Sequence, residues 1–198
     1  MIKRGRKKGA NGEQSRALLL FIAADEFARK GYFETKVSTI VHRANLSQPT
    51  FYLYFESKEA IFKELVKKFR YELFNLTIQS RLETGLDLNA IPLKITQGLA
   101  AIFRFFAENQ SLTRIGFFLS QEAEEIKKQL AAQIKENLIY EQQNGYFHPD
   151  ANMLIIAESL VGIIERLTIT QIFEENIQPE ILANDIVHLL LDGLLVKT

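Results

Sequence analysis

Apolar side chains return every three or four positions along nearly the whole of this chain, and nowhere do they alternate with polar ones over a strand's length. A period near 3.6 buries one stripe of a helix, whereas a half-buried strand needs a period of two, so the pattern predicts an all-α fold. From residue 14 to 30 the apolar positions 17, 18, 20, 21, 24, 27 and 28 share one stripe, and Gly31 stands where a left-handed helix cap belongs. Short helices are predicted at 37–44 and 48–54, and longer ones at 58–82, 88–108, 111–120, 122–144, 150–175 and 179–195. Ser57 is a good cap for the fourth helix, with Glu59 in its first turn.

With 47% apolar residues in 198, the chain can bury one full-sized core or a small and a larger one. The expected division is a flexible basic arm over 1–14, a small helical domain over 15–60 and a larger helical domain over 61–198. No run reaches the roughly 18 uninterrupted apolar residues of a membrane span. The opening MIKRGRKKGANGEQ lacks the apolar stretch of a signal peptide. A cytoplasmic protein with no membrane partner is therefore expected. The chain contains no cysteine, which excludes disulfide scaffolds, thiol nucleophiles and iron–sulfur clusters. The three histidines, His42, His148 and His188, fall at no metal-ligand spacing, and no metal or cofactor is expected.

The net charge of zero conceals an uneven distribution. Residues 1–58 carry eleven Lys and Arg against five Asp and Glu, and the remainder carries 13 against 19. A front end with a balance of +6 suits a polyanionic partner, and a back end at −6 does not.

Residues 37–55, VSTIVHRANLSQPTFYLYF, focus that expectation. Two short helices crossing around a tight turn need apolar inner faces and a turn residue that tolerates positive φ. Val37, Ile40, Val41 and Ala44 supply the first inner face, Leu46 and Phe51 the second, and Asn45 the turn. Ser47 can cap the next helix, and Pro49 is tolerated in a first turn that has no partner for an N–H. With Phe51 turned inward, Gln48, Thr50 and Tyr52 face solvent, together with Leu53 and Tyr54. Gln pairs with adenine in the major groove, Thr reaches a base or phosphate, and Tyr hydroxyls fix phosphates. Lys58 would add a phosphate contact from the fourth helix, and Lys36 and Ser38 would grip the backbone on the other side. His42 lies on the outer face of the second helix, near phosphate or merely at the surface.

On these residues the chain resembles the TetR (tetracycline-repressor-like) family of bacterial regulators. Phe27, Gly31-Tyr32, Thr35, Val37 to Ile40, Ala44, Leu46-Ser47, Thr50-Phe51-Tyr52, Tyr54-Phe55, Lys58-Glu59 and Ile61 carry the likeness over residues 17–66. Asn45 stands where that family usually has Gly, Pro49 where Gly is frequent, Leu53 where a polar residue is common, and Lys36 where Thr often precedes Val. The resemblance implies an N-terminal three-helix helix-turn-helix domain that binds double-stranded DNA, followed by a larger domain for ligand binding and dimerisation. It implies a homodimer on an inverted-repeat operator, acting most often as a repressor, and release by a small-molecule effector that moves the fourth helix. The last two helices would form the subunit interface. Ile156, Leu160, Ile163, Ile164, Leu167, Ile186, Leu189 and Leu190 are the candidates, in segments too apolar around their circumference for one-sided burial.

An apolar or aromatic effector would find Phe69, Phe103, Phe106, Phe117 and Phe118 in the intervening helices. A stripe of Phe at helical spacing serves equally as ordinary core, and position alone does not choose. A runner-up reading is an all-helical enzyme using Glu158, Glu165 and His188, for which no nucleophile–base spacing speaks. A DNA-binding adaptor without a small-molecule effector is a further alternative.

Overall fold

The computed structural model describes residues 8–193, which are helical with no strand among them. Helices α1 (Lys8–Glu34), α2 (Val37–Arg43) and α3 (Gln48–Tyr52) form a compact head. Helix α4 (Lys58–Gln79) leads from it into a body of α5 (Ile91–Glu108), α6 (Gln110–Thr113), α7 (Ala123–Gln143), α8 (Met153–Leu167) and α9 (Pro179–Asp192). A 3₁₀ turn, Leu88–Ala90, precedes α5, and π-helical segments Arg114–Leu119 and Thr168–Glu174 continue α6 and α8.

The expected stop at Gly31 is a break within α1: Gly31 takes φ 78° and ψ 169°, and the chain regains one short helical turn to Glu34. At the other end α1 starts at Lys8, so residues 8–14 are helical where a flexible arm was expected. A helix that later buries one stripe can carry its polar first turns with it. The rest of that arm, residues 1–7, lies outside the described residues.

Side by side, α5 packs along α9 and α7 along α8, while α6 and the following π segment lie against both α1 and α4. One apolar core runs from Leu19 and Phe27 in the head through Leu65 and Phe69 of α4 to Ile164 and Val187 in the body. Its centre is aromatic: Phe69 lies 5.8 Å from Phe106 and 6.0 Å from Phe117, and Phe106 lies 5.4 Å from Phe117. Gly116 permits this, because a Cβ there would stand 2.1 Å from the Phe69 ring. The stretch Leu88–Glu108 is apolar and long enough, by length and composition alone, to cross a bilayer. In this fold its Leu99, Ile102, Phe103 and Phe106 are buried, and α5 packs against α4 and α9.

Candidate nucleic-acid interface and internal cavity

The turn between α2 and α3 follows from a few local choices. Asn45 sits at φ 52°, and its N–H donates to the His42 carbonyl at 3.1 Å while the Leu46 N–H donates to the Val41 carbonyl at 2.9 Å. That pair of bonds closes a helix end through a left-handed residue, with Val41 and Leu46 as the accompanying apolar contact. Ser47 then starts α3, its Oγ accepting from the Thr50 N–H at 3.3 Å.

Phe51 is fully buried, and its side chain anchors α3 against the head. Gln48, Pro49, Tyr52 and Leu53 are exposed, the last two at 54% and 79%. Thr50 is half-buried and its hydroxyl pairs with Ser47 Oγ at 2.8 Å. On the flank, Lys36, Ser38 and His42 are exposed.

Two residues expected to grip phosphates have other tasks. The Lys58 ammonium lies 2.7 Å from the Tyr32 carbonyl, 2.9 Å from that of Thr35 and 3.3 Å from that of Phe33, and 4.4 Å from the Tyr32 ring centre. An ammonium has only three N–H donors, so these carbonyls leave its charge no donor for a phosphate. Lys58 instead closes the C-terminal end of α1 and pins the start of α4 to it. Tyr54 is half-buried, its hydroxyl 3.4 Å from where a Cβ on Gly12 would be, so it packs on α1 rather than standing free like Tyr52.

A cluster missed in the sequence holds the head together. Glu26 of α1, only 2% exposed, accepts from Arg43 of α2 at 2.6 Å and pairs with Lys30 at 2.8 Å. Arg43 also meets Asp25 at 2.6 Å. Burial pushes the Glu26 carboxyl up, but Lys30 and Arg43 outweigh it and the group titrates below the ordinary carboxylate range. The Arg43 hydrogen bond likewise holds Asp25 low, against a smaller upward push from burial. The spacing of Glu26 and Lys30 along one helix was a visible signal; the reach of Arg43 was not.

In the body, an apolar cavity of about 420 Å³ lies between the C-terminal end of α4 and helices α5, α7, α8 and α9. Leu99, Ile102, Ile134, Met153, Ile156, Leu160 and Val187 are among its walls, and Thr77, Ser80, Asn137 and Glu141 form a polar side. None of the five expected phenylalanines lines it. Phe69, Phe103, Phe106 and Phe117 are fully buried in the core, and Phe118 packs on Phe117 and Phe173. The aromatic lining is Tyr146 and Phe147, from the loop after α7.

Of the eight expected interface residues, Ile156, Leu160, Ile164 and Leu190 line this cavity, and Ile186 is buried at 3% exposure. Ile163 and Leu167 are half-buried against the core, and Leu189 is exposed. Both helices are apolar on two sides, and the sequence did not say which side faces inward. The open side shows Leu154, Ile155, Ser159 and Gly162 on α8 and Ile181, His188 and Leu189 on α9. His188 is exposed and paired with Asp192 at 2.7 Å, and Glu165 is paired with Lys127 at 2.5 Å.

A three-helix head that exposes the polar side of a capped short helix, joined to a helical body with an internal cavity, defines a helix-turn-helix DNA-binding regulator. Residues 19–65 match the family of bacterial regulatory proteins described as tetR. The HTH-type transcriptional regulator YdgC of Bacillus subtilis (strain 168) is 44% identical over 95% of this chain and 96% of its own. The chain belongs to the TetR family of bacterial transcriptional regulators. The HTH-type transcriptional regulator EthR of Mycolicibacterium smegmatis is 24% identical over 96% of this chain and 91% of its own. Among solved structures, the fatty acid degradation regulator FadR of Bacillus halodurans shares the fold, with a TM-score of 0.72 at 19% identity over 99% of this chain and 100% of that one. These relatives are regulators of transcription, and the enzyme reading is not favoured.

Proposed function

We propose that the chain is a ligand-responsive repressor that binds an inverted-repeat operator as a homodimer in the cytoplasm. The observation that carries this reading is the exposure of Gln48 and Tyr52 on a helix whose Phe51 is fully buried. Thr50, Ser47, Pro49 and Leu53 complete the edge that enters the major groove, and Lys36 and Ser38 meet the backbone beside it. Five of the eleven basic residues before residue 59 lie within positions 3–8, so the arm brings much of the attraction for phosphate.

The head over 15–60 and the body over 61–198 are joined through α4, which is common to both. Its first residue, Lys58, is pinned to the end of α1, and Thr77 in its last turn and Ser80 at its C-terminal cap line the cavity. A helix of 22 residues spans roughly 33 Å, so occupancy of the cavity moves the head through a stiff lever. The effector must prefer the spacing of reading helices that does not fit DNA, since equal affinity for both would shift nothing.

Dimerisation uses the open side of α8 and α9, where Ile155, Ser159, Gly162, Ile181 and Leu189 face outward. A Cβ on Gly162 would meet nothing within 4 Å in the protomer, which leaves room for a partner helix.

Footprinting on the DNA upstream of the chain's own reading frame tests the proposal. Two protected half-sites related by a twofold axis, about one helical turn or more apart, are expected. Protection of a single unrepeated site, or of none at low salt, would overturn it.

A further inference from the structure

The polar side of the body cavity is unusual in what it has left to offer. Each hydroxyl hydrogen there is already given to a helix carbonyl: Thr77 Oγ1 donates to Leu73 O at 2.8 Å, and Ser80 Oγ to Thr77 O at 2.8 Å. Asn137 has both ends of its amide engaged, Nδ2 with Thr77 O at 2.9 Å and Oδ1 with Gln133 at 3.3 Å. Tyr146 donates to Glu83 O at 2.8 Å and accepts from the Leu86 N–H at 2.9 Å. Glu141, only 5% exposed, accepts the Leu82 N–H at 2.9 Å through Oε1, and Oε2 has no hydrogen-bond partner among the described residues. Around this side the remaining capacity is mostly acceptor lone pairs on Thr77, Ser80 and Glu141, against one further Asn137 N–H and the His148 ring at the rim, beside an otherwise aliphatic wall.

We propose that this cavity takes an amphipathic molecule whose head donates hydrogen bonds, a protonated amine above all, to Glu141 Oε2 and the Ser80 and Thr77 hydroxyl oxygens, with its aliphatic part among Ile102, Ile134 and Leu160. This names the chemical class of the effector and so rests on the regulatory reading of the cavity. A buried carboxylate with an open oxygen is costly alone and favourable beside a cation, so the head completes a site that the protein leaves unfinished. A carboxylate head on the same chain would meet like charge and a row of acceptors. The volume of about 420 Å³ falls in the range of small-molecule sites. Burial pushes the Glu141 carboxyl up, against the Leu82 N–H and the Arg81 charge, and an arriving ammonium would draw it down again.

Calorimetric titration of the full chain with dodecylamine and with dodecanoate, both below micelle-forming concentrations, compares two heads on one tail. The amine is expected to bind at least about tenfold more tightly, and Glu141→Gln, which keeps an acceptor for the Leu82 N–H, to remove that preference. Should Glu141→Gln fail to fold, Ser80→Ala is expected to weaken the amine and leave the carboxylate unchanged. Equal affinity, preference for dodecanoate, absence of binding by either, or a preference unmoved by a folded Glu141→Gln overturns the proposal. Operator affinity measured with each compound separates the two ideas. Tight amine binding that leaves DNA affinity unchanged would refute control through the cavity and keep the ligand class. Release of DNA by dodecanoate, the tighter binder, would do the reverse.

Discussion

Two carboxylates sit almost out of reach of water in opposite halves of the molecule, Glu26 in the head at 2% exposure and Glu141 in the body at 5%. Glu26 is answered by Arg43 at 2.6 Å and Lys30 at 2.8 Å, and it titrates low. Glu141 is answered by one backbone N–H at 2.9 Å and titrates high. The difference separates two kinds of part. The head is closed: its buried charge is neutralised from within, its helices are locked, and the outer face of α3 is held ready. The body is left open at one point, beside a cavity whose polar side is dominated by free acceptors. A rigid reader and an incomplete core are what a protein needs if one half is to hold a shape and the other is to change it.

Removing the shared centre should have the largest effect, because it strikes both halves. Phe69→Ala deletes a fully buried ring between α4 and the π segment, and a loss of about 4 kcal/mol, or roughly 10 °C in melting temperature, is expected by calorimetry. Next comes the closure of the head. Glu26→Ala removes the buried carboxylate that joins α1 to α2, leaving Arg43 only Asp25, and should cost about 2 to 3 kcal/mol in denaturant unfolding, with a parallel loss of DNA affinity as α2 loosens. Gln48→Ala should leave the melting temperature alone and weaken operator binding by about 1 to 3 kcal/mol, with relaxed base preference at one position of each half-site. Asn45→Ala places a Cβ-bearing residue without a helpful side chain at φ 52°, at a cost of about 1 kcal/mol that Asn45→Gly does not incur.

The smallest effect is also the one that contrasts the carboxylates most directly. Asp25 and Glu26 have folded pKa values below their unfolded ones, so their contribution is present above the ordinary carboxylate range and is lost as pH falls through the folded values. Glu141 has a folded value above its unfolded one, so its contribution is full in acid and is lost as pH rises through the raised value. Unfolding free energies measured from about pH 4 to pH 8 should therefore fall less on the acid side for Glu26→Gln, and less on the neutral side for Glu141→Gln. Parallel profiles for the two variants would erase the distinction between the halves.

What the sequence revealed follows from the range of the forces involved. The turn at Asn45, the caps at Ser47 and Ser57 and the inward Phe51 are written within four residues of where they act, and all were legible. Helix positions were legible to within a few residues, except that α1 reaches back to Lys8. What failed depended on partners distant in sequence. Lys58 was read as a free cation because the carbonyls of Tyr32, Phe33 and Thr35 lie more than twenty residues away. Phe69, Phe103, Phe106 and Phe117 were candidates for a pocket because aromatic content signals burial but not which side of a bundle is left empty. The same blindness to side sent Ile164 and Ile186 to an interface, although α8 and α9 turn them inward. Glu141 was overlooked since a single Glu on a polar helix gives no hint that the Leu82 N–H waits for it.

The claim beneath the rest is that α3 stands outside the head with its polar edge toward DNA. Fluorescence anisotropy with a duplex from the chain's own upstream region, at two salt concentrations, puts it to the most direct trial when wild type is set beside the Gln48→Ala/Tyr52→Ala variant. Salt-dependent binding by the wild type is expected, with a fall of roughly a hundredfold in the variant and its melting temperature intact. Equal affinity of a folded variant, at both salt concentrations, would contradict it.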